Sequence, residues 1–231
     1  MPPQHLLPTI FSSLTRTPPS TPIRWTLLRT LKSDNPHDIQ GDLHGTATFT
    51  PLHSTTPSID PNPNTEEKQQ AETHTDLLYS EEGSLPQSFG PGLRWTKKYI
   101  WRLSSEGRIS VWFVKVDKKN GNGNGNGAEE ADYLFHEFDS AETASTSESR
   151  ASEGAEFVTP PVPPEVDVGS DCKTEIVAAR GNHLCVADMY RTAYAFRVAE
   201  GSGEVLSWAS RHVVRGPRKG QDIVNLYSRD L

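Results

Sequence analysis

The sequence predicts an all-β protein, an antiparallel up-and-down β-barrel of about nine to ten strands interrupted by long disordered insertion loops. Three observations carry this. The apolar stretches lack helical periodicity and instead alternate in polarity with a period of two, ending at Gly, Asn or Pro. Only 34% of the 231 residues are hydrophobic, against 17 Gly and 18 Pro, so much of the length cannot be core. Several strands carry aromatics on both faces, which suits a closed wall better than an open sheet with one wet face, and closure removes the edges. A two-sheet sandwich would satisfy the strand count equally.

Residues 1–22 read as a disordered lead-in, because Pro18, Pro19 and Pro22 interrupt any amphipathic helix. The first 33 residues hold Arg16, Arg24, Arg29 and Lys32 and no acid, a composition that would also suit a mitochondrial transit segment. The prolines favour the lead-in, and a cytoplasmic protein is expected. A single barrel domain then spans 23–231. Strands are expected at 24–31, 45–51 and 76–81. The clearest is 93–103, where Trp95, Lys97, Tyr99 and Trp101 share one face; it turns at 104–107 into 108–116, with Ile109, Val111 and Phe113 on one side. Further strands are expected at 131–138, 175–179, 188–198, 204–214 and 223–229. Between them, 53–75, 117–131 and 139–171 hold prolines, an Asn-Gly repeat and a Ser/Glu-rich tract, which lack the apolar area to offset their ordering entropy.

The charge follows this division. Residues 117–171 carry 13 acids and 3 bases, 1–116 carry 11 of each, and 172–231 carry 6 acids and 9 bases. The net charge of −7 therefore belongs to one insertion-rich stretch and argues against nucleic-acid binding by global charge. Two cysteines, Cys172 and Cys185, are too few for a disulfide scaffold or a Cys-rich zinc site. No apolar run approaches the roughly 18 residues of a membrane span, so neither a nucleic-acid nor a membrane partner is expected.

The densest set of reactive side chains is His183, Cys185, Asp188 and Tyr190. His and Cys two apart share one strand face, as do Asp and Tyr, but Cys185 and Asp188 are three apart. A regular strand would split the pairs, so all four converge only if the backbone turns or bulges between them. They could form a hydrogen-bonded cluster fixing a barrel end, a metal site, or a base and nucleophile with Asp188 orienting the imidazole. Zinc lacks a second ligand pair at the required spacing, and an inert cysteine is the commoner case. A second feature is the Gly216-Pro217 turn beside Arg215, Arg218 and Lys219, where Arg215 and Lys219 could seat a carboxylate or phosphate or simply be solvated. His136 also falls on a strand. Tyr99, Trp101 and Phe113 could line an apolar pocket or fill the core.

These residues carry a resemblance. Gly45-x-Ala47-x-Phe49, Leu78-Tyr79-x-Glu81-x-Gly83, Tyr99-x-Trp101, Val111-x-Phe113 and Phe135-His136-x-Phe138 stand beside His183-x-Cys185-x-x-Asp188-x-Tyr190, Tyr194-x-Phe196, Gly216-Pro217-x-Lys219 and Tyr227-x-Arg229. Together they resemble the domain of unknown function 6314 of bacteria and fungi, over roughly 23–229 apart from the insertions. The resemblance is compatible with a lipocalin-like, calycin-type barrel and implies no activity. Three functions follow as expectations: a small-molecule-binding barrel, an enzyme with His183 as acid or base, or an interaction module recruiting partners through its disordered loops. A ligand reading requires a cavity of roughly 300 Å³ or more faced by at least two of the polar cluster, and the enzyme reading requires His183 within about 3 Å of Cys185, Asp188 or Tyr190. No cofactor is expected, with haem or metal ligation by His183 or His136 left open, and the oligomeric state is open as well.

Overall fold

A computed structural model describes residues 6–15, 22–52, 74–115, 129–140, 158–167 and 172–229. It is all-β apart from one short helix and one turn of 3₁₀ helix. The helix is α1 (Leu6–Ser13), and the strands are β1 (Arg24–Ser33), β2 (Gly41–Leu52), β3 (His74–Ser84), β4 (Arg94–Ser104), β5 (Ile109–Val114), β6 (Ala131–Glu137), β7 (Asp139–Ser140), β8 (Thr174–Cys185), β9 (Asp188–Ala199), β10 (Val205–Arg215) and β11 (Gly220–Arg229). All pair antiparallel in one sheet of order β6-β5-β4-β3-β2-β1-β11-β10-β9-β8-β7. Each strand lies beside its sequence neighbour, and β1 joins the two halves by pairing with both β2 and β11, Leu27 facing Gly45 on one side and Tyr227 on the other.

The expected barrel is therefore present and nearly closed. Its seam lies between β6 and β8, where β7 bridges by pairing Asp139 with Arg180 and Ser140 with Ala179. Gly181 lies at this seam, where any Cβ would collide with the His136 ring. The hairpin expected near 93–116 is β4–β5, with Tyr99 opposite Phe113 and Trp101 opposite Val111.

The two ends of the barrel differ. At the base, α1 plugs the interior: Ile10, Phe11 and Leu14 are fully buried and join the core of Trp25, Phe49, Trp101 and Trp208. The Val205 amide donates to Ser13 Oγ at 2.7 Å, fixing the plug to the start of β10. This corrects the expectation of disorder over 1–22 for the described part of that segment. Leu6, Leu7, Ile10, Phe11 and Leu14 recur at helical spacing, and Pro8 lies in the first turn, where a missing amide costs nothing. Pro18 and Pro19 lie outside the described residues.

Residues 158–167 also differ from expectation. They lie on the outside of β9 and β10, where Arg197 donates to the carbonyls of Pro163 and Pro164 at 3.3 and 3.2 Å, and Ser207 Oγ donates to Pro164. Prolines cannot donate, but their carbonyls accept, so a proline run can still be hydrogen-bonded onto a wall. The remainder of the 53–75, 117–131 and 139–171 insertions lies almost wholly outside the described residues. Among the described residues, no helix is long and apolar enough to cross a membrane.

Candidate functional site

The end opposite α1 is open. The β1–β2, β3–β4, β8–β9 and β10–β11 connections surround it, and a cavity of about 350 Å³ lies within. One wall is aromatic, built by Tyr99 on β4, Phe113 on β5 and Tyr133 and Phe135 on β6. Tyr99 and Phe135 stack at 5.7 Å, and Phe113 and Tyr133 at 4.4 Å. Val214 and Ile223 face them from β10 and β11.

The period of two places the polar groups. On β8 and β9 a two-residue turn, Val186-Ala187, brings Cys185 opposite Asp188 and His183 opposite Tyr190, so the backbone does turn between the pairs. Val186 has φ 58°, in the left-handed region that a β-branched residue rarely enters. His183, Cys185 and Tyr190 line the cavity. Asp188 does not: it is buried against the β10–β11 turn, where its Oδ1 accepts from the Arg218 amide at 3.3 Å and occupies the space of a Cβ on Gly216. Lys219 comes back over the mouth and donates to Tyr190 Oη at 2.7 Å, a bond that raises the ammonium pKa from its ordinary value.

His183 makes ring contacts with Phe135 and Tyr190 at 5.7 and 6.0 Å. Among the described residues it has no hydrogen bond to Cys185, Asp188 or Tyr190. No group of three or more His, Cys, Asp or Glu among them is placed to hold a metal ion.

The other expected site residues are placed elsewhere. Trp101 lies below the cavity, buried in the core between Phe49, Tyr194 and Trp208. His136 sits in the wall at the seam, its Nε2 2.9 Å from Tyr194 Oη and its Nδ1 without a partner among the described residues. Burial, with His183 nearby, holds it neutral down to about pH 3. A shift of register between Val111 and Trp112 on β5 accounts for Phe135 and His136 both being buried. Arg215 points outward, donating to the Val214 and Gln221 carbonyls and lying 3.9 Å from Asp34.

Below the cavity lies a polar floor. Arg29 on β1 donates through Nη2 to both carboxylate oxygens of Glu81 on β3, at 2.7 and 2.8 Å, and through Nε to Asn225 on β11 at 2.7 Å. Of the inward positions of the intervening β2, Gly45 and Ala47 stand opposite Gly83 and Glu81 of β3, and their small size leaves room for the Arg29 side chain to cross to Glu81. Trp95 fills the space over Gly45 and Gly83, and the Arg29 guanidinium lies 4.6 Å from its ring. Tyr79 Oη donates to Glu81 at 2.6 Å and lies 2.7 Å from Tyr227 Oη. Asn225 donates to Ser210, which meets His212 Nε2 at 3.2 Å, and Thr192 meets His212 Nδ1 at 3.1 Å.

Burial sets the charges of this floor. It opposes the Arg29 charge, but the Glu81 carboxylate, joined by Tyr227 and Tyr79, more than offsets it and the guanidinium pKa is raised. Burial and then Glu81 push the Tyr79 phenol far up, so it stays a donor. Burial, then Lys97, His136 and Arg29, push His212 far down, so it stays neutral. The floor encloses only about 30 Å³ and shares Arg29, Lys97, Tyr99, Phe135 and His212 with the larger cavity above.

Tyr133, Phe135, Val214, Ile223, Arg29 and His212 are site residues the sequence reading did not single out. For Arg29 and Glu81 a signal existed: Arg29 is in phase with Trp25 and Leu27, and Glu81 with Leu77 and Tyr79. Opposite charges in phase with core residues on two strands mark a buried pair.

A family model described as Family of unknown function (DUF6314) matches residues 23–154 and 166–229. No curated protein and no solved structure matches the chain.

Proposed function

As the chain belongs to DUF6314, a family of unknown function, its barrel geometry is the guide to its role, and we propose that it binds a small molecule with a largely apolar body in the open end of the barrel. One observation carries this reading: a cavity of about 350 Å³, between an aromatic wall and the aliphatic pair Val214 and Ile223, lies in a barrel whose other end is closed by α1. Small-molecule sites begin at roughly 300 Å³ and pair mostly apolar walls with a few polar groups. Here His183, Tyr190 and Lys219 are those groups at the mouth, while Tyr99, Phe113 and Phe135 supply contact area. A cytoplasmic setting accords with Cys172 and Cys185, which are both free thiols.

Native mass spectrometry of protein purified from its own host, repeated after denaturation, tests this. The expected result is a small molecule retained on the native protein and lost from Ile223→Trp, whose indole would fill the cavity. A bare native protein that also fails to take up 1-anilinonaphthalene-8-sulfonate would overturn the reading.

A further inference from the structure

We infer that the ligand is an organic anion, an apolar body carrying one carboxylate or comparable group, and that Lys97 with Arg29 holds its charge; this rests on the small-molecule reading above. Among the described residues, those lining the cavity include Arg29, Lys97 and Lys219 and not one Asp or Glu. Arg29 is neutralised by Glu81 from below, which leaves two ammonium groups with no carboxylate among the described lining residues. A cavity with that excess attracts anions and rejects cations.

The two lysines are not equivalent. Lys219 at the mouth is engaged with Tyr190 Oη. Lys97 lies 5.2 Å from the Tyr99 ring centroid and, among the described residues, has neither an acidic partner nor a hydrogen bond. It stands directly across from Glu81 in the β3–β4 register, but Glu81 is spent on Arg29 and Tyr79. Lys97 also lines both the floor and the cavity, as Arg29 does. Arg29 uses Nε and Nη2 below and makes no hydrogen bond through Nη1 among the described residues, so a donor remains for a ligand oxygen. An anionic group at this junction meets Lys97 and Arg29 together, while the body of the ligand extends along Tyr99, Phe113 and Tyr133 toward the mouth. Glu81, Tyr79 and Asn225 then act as positioning groups that hold the Arg29 guanidinium in one orientation.

Calorimetric titration of the full chain with three naphthalenes of one size, 2-naphthoate, 2-naphthalenemethanol and 2-naphthalenemethylamine, separates the claims. The naphthoate is expected to bind at least about tenfold more tightly than the alcohol, and the amine least tightly. Lys97→Met should remove most of the naphthoate advantage and leave the alcohol within about twofold, while Lys219→Met should weaken naphthoate only about threefold. Lys97→Glu should invert the order toward the amine, and since Lys97 is exposed both substitutions should leave the melting temperature near that of the parent. Equal binding of the three probes, or a preference for the amine, would overturn the anion assignment while leaving a small-molecule binder. Loss of naphthoate binding through Lys219→Met and not Lys97→Met would overturn the assignment of Lys97. Absence of binding by all three would overturn both readings.

Discussion

Glu81 is the residue on which most of the interior polarity converges. Its carboxylate takes Arg29 through both oxygens and Tyr79 through one, and its side chain is 1% exposed. Removing one member of such a pair leaves the other charge buried without compensation. Glu81→Ala is therefore expected to cost about 3–5 kcal/mol in urea unfolding, and the double change with Arg29→Met less than Glu81→Ala alone. His136 supplies a pH dependence. Its ordinary pKa of 6.5 falls to about 3 in the fold, so protonation favours the unfolded chain. The stabilisation is complete above about pH 6.5 and is lost as pH falls toward 3, at up to about 1.4 kcal/mol per pH unit. Unfolding at pH 6.5 and 5 should differ by about 2 kcal/mol from this residue, and His136→Leu should flatten the difference by that amount. At this scale the sequence was readable wherever period two held: Lys97, Tyr99 and Phe113 face inward as the alternation requires. It did not reach the burial of His136, where a bulge breaks the period, or the contact of Asp188 with the β10–β11 turn, which follows from a tight turn.

Among the elements, α1 is the least expected, and its Ile10 and Phe11 lie in the core. Prolines downstream and the absence of a long periodic run hid five apolar residues at helical spacing, since eight residues give little pattern to read. Phe11 is 2% exposed within the plug. Phe11→Ala is expected to destabilise by about 3–5 kcal/mol, measured by thermal or urea unfolding. A smaller cost, under about 1 kcal/mol, would mean that α1 leaves the barrel easily. The strands themselves were legible to within a few residues. Two strands are exceptions: β7 (Asp139–Ser140) falls in a stretch expected to be disordered, and β8 runs from Thr174 to Cys185 where 175–179 was expected, because Arg180, Gly181 and Asn182 break its apolar run and its second half owes its extended form to pairing with β9. Propensity alone does not register a partner strand.

For the whole molecule, the meander order was readable from the succession of strands, and closure from aromatics on both faces. The barrel's charge was not. A chain of net charge −7 has a cavity whose lining, among the described residues, holds Arg29, Lys97 and Lys219 and no acid, a grouping that the order of residues along the chain does not display. The pairing of β1 with β11 has a consequence for how the chain reaches this state. Trp25 lies opposite Arg229, and the Arg29–Asn225 hydrogen bond joins residues 196 positions apart. Contacts of such separation form slowly, because loop closure must precede any gain from the contact. During synthesis the amino-terminal half, from β1 to β6, holds Trp25, Phe49, Tyr79 and Trp101 uncovered until the last strands emerge. The Arg29 guanidinium meets Glu81 early but Asn225 only at the end, so the polar floor is completed by the same step that shuts the wall.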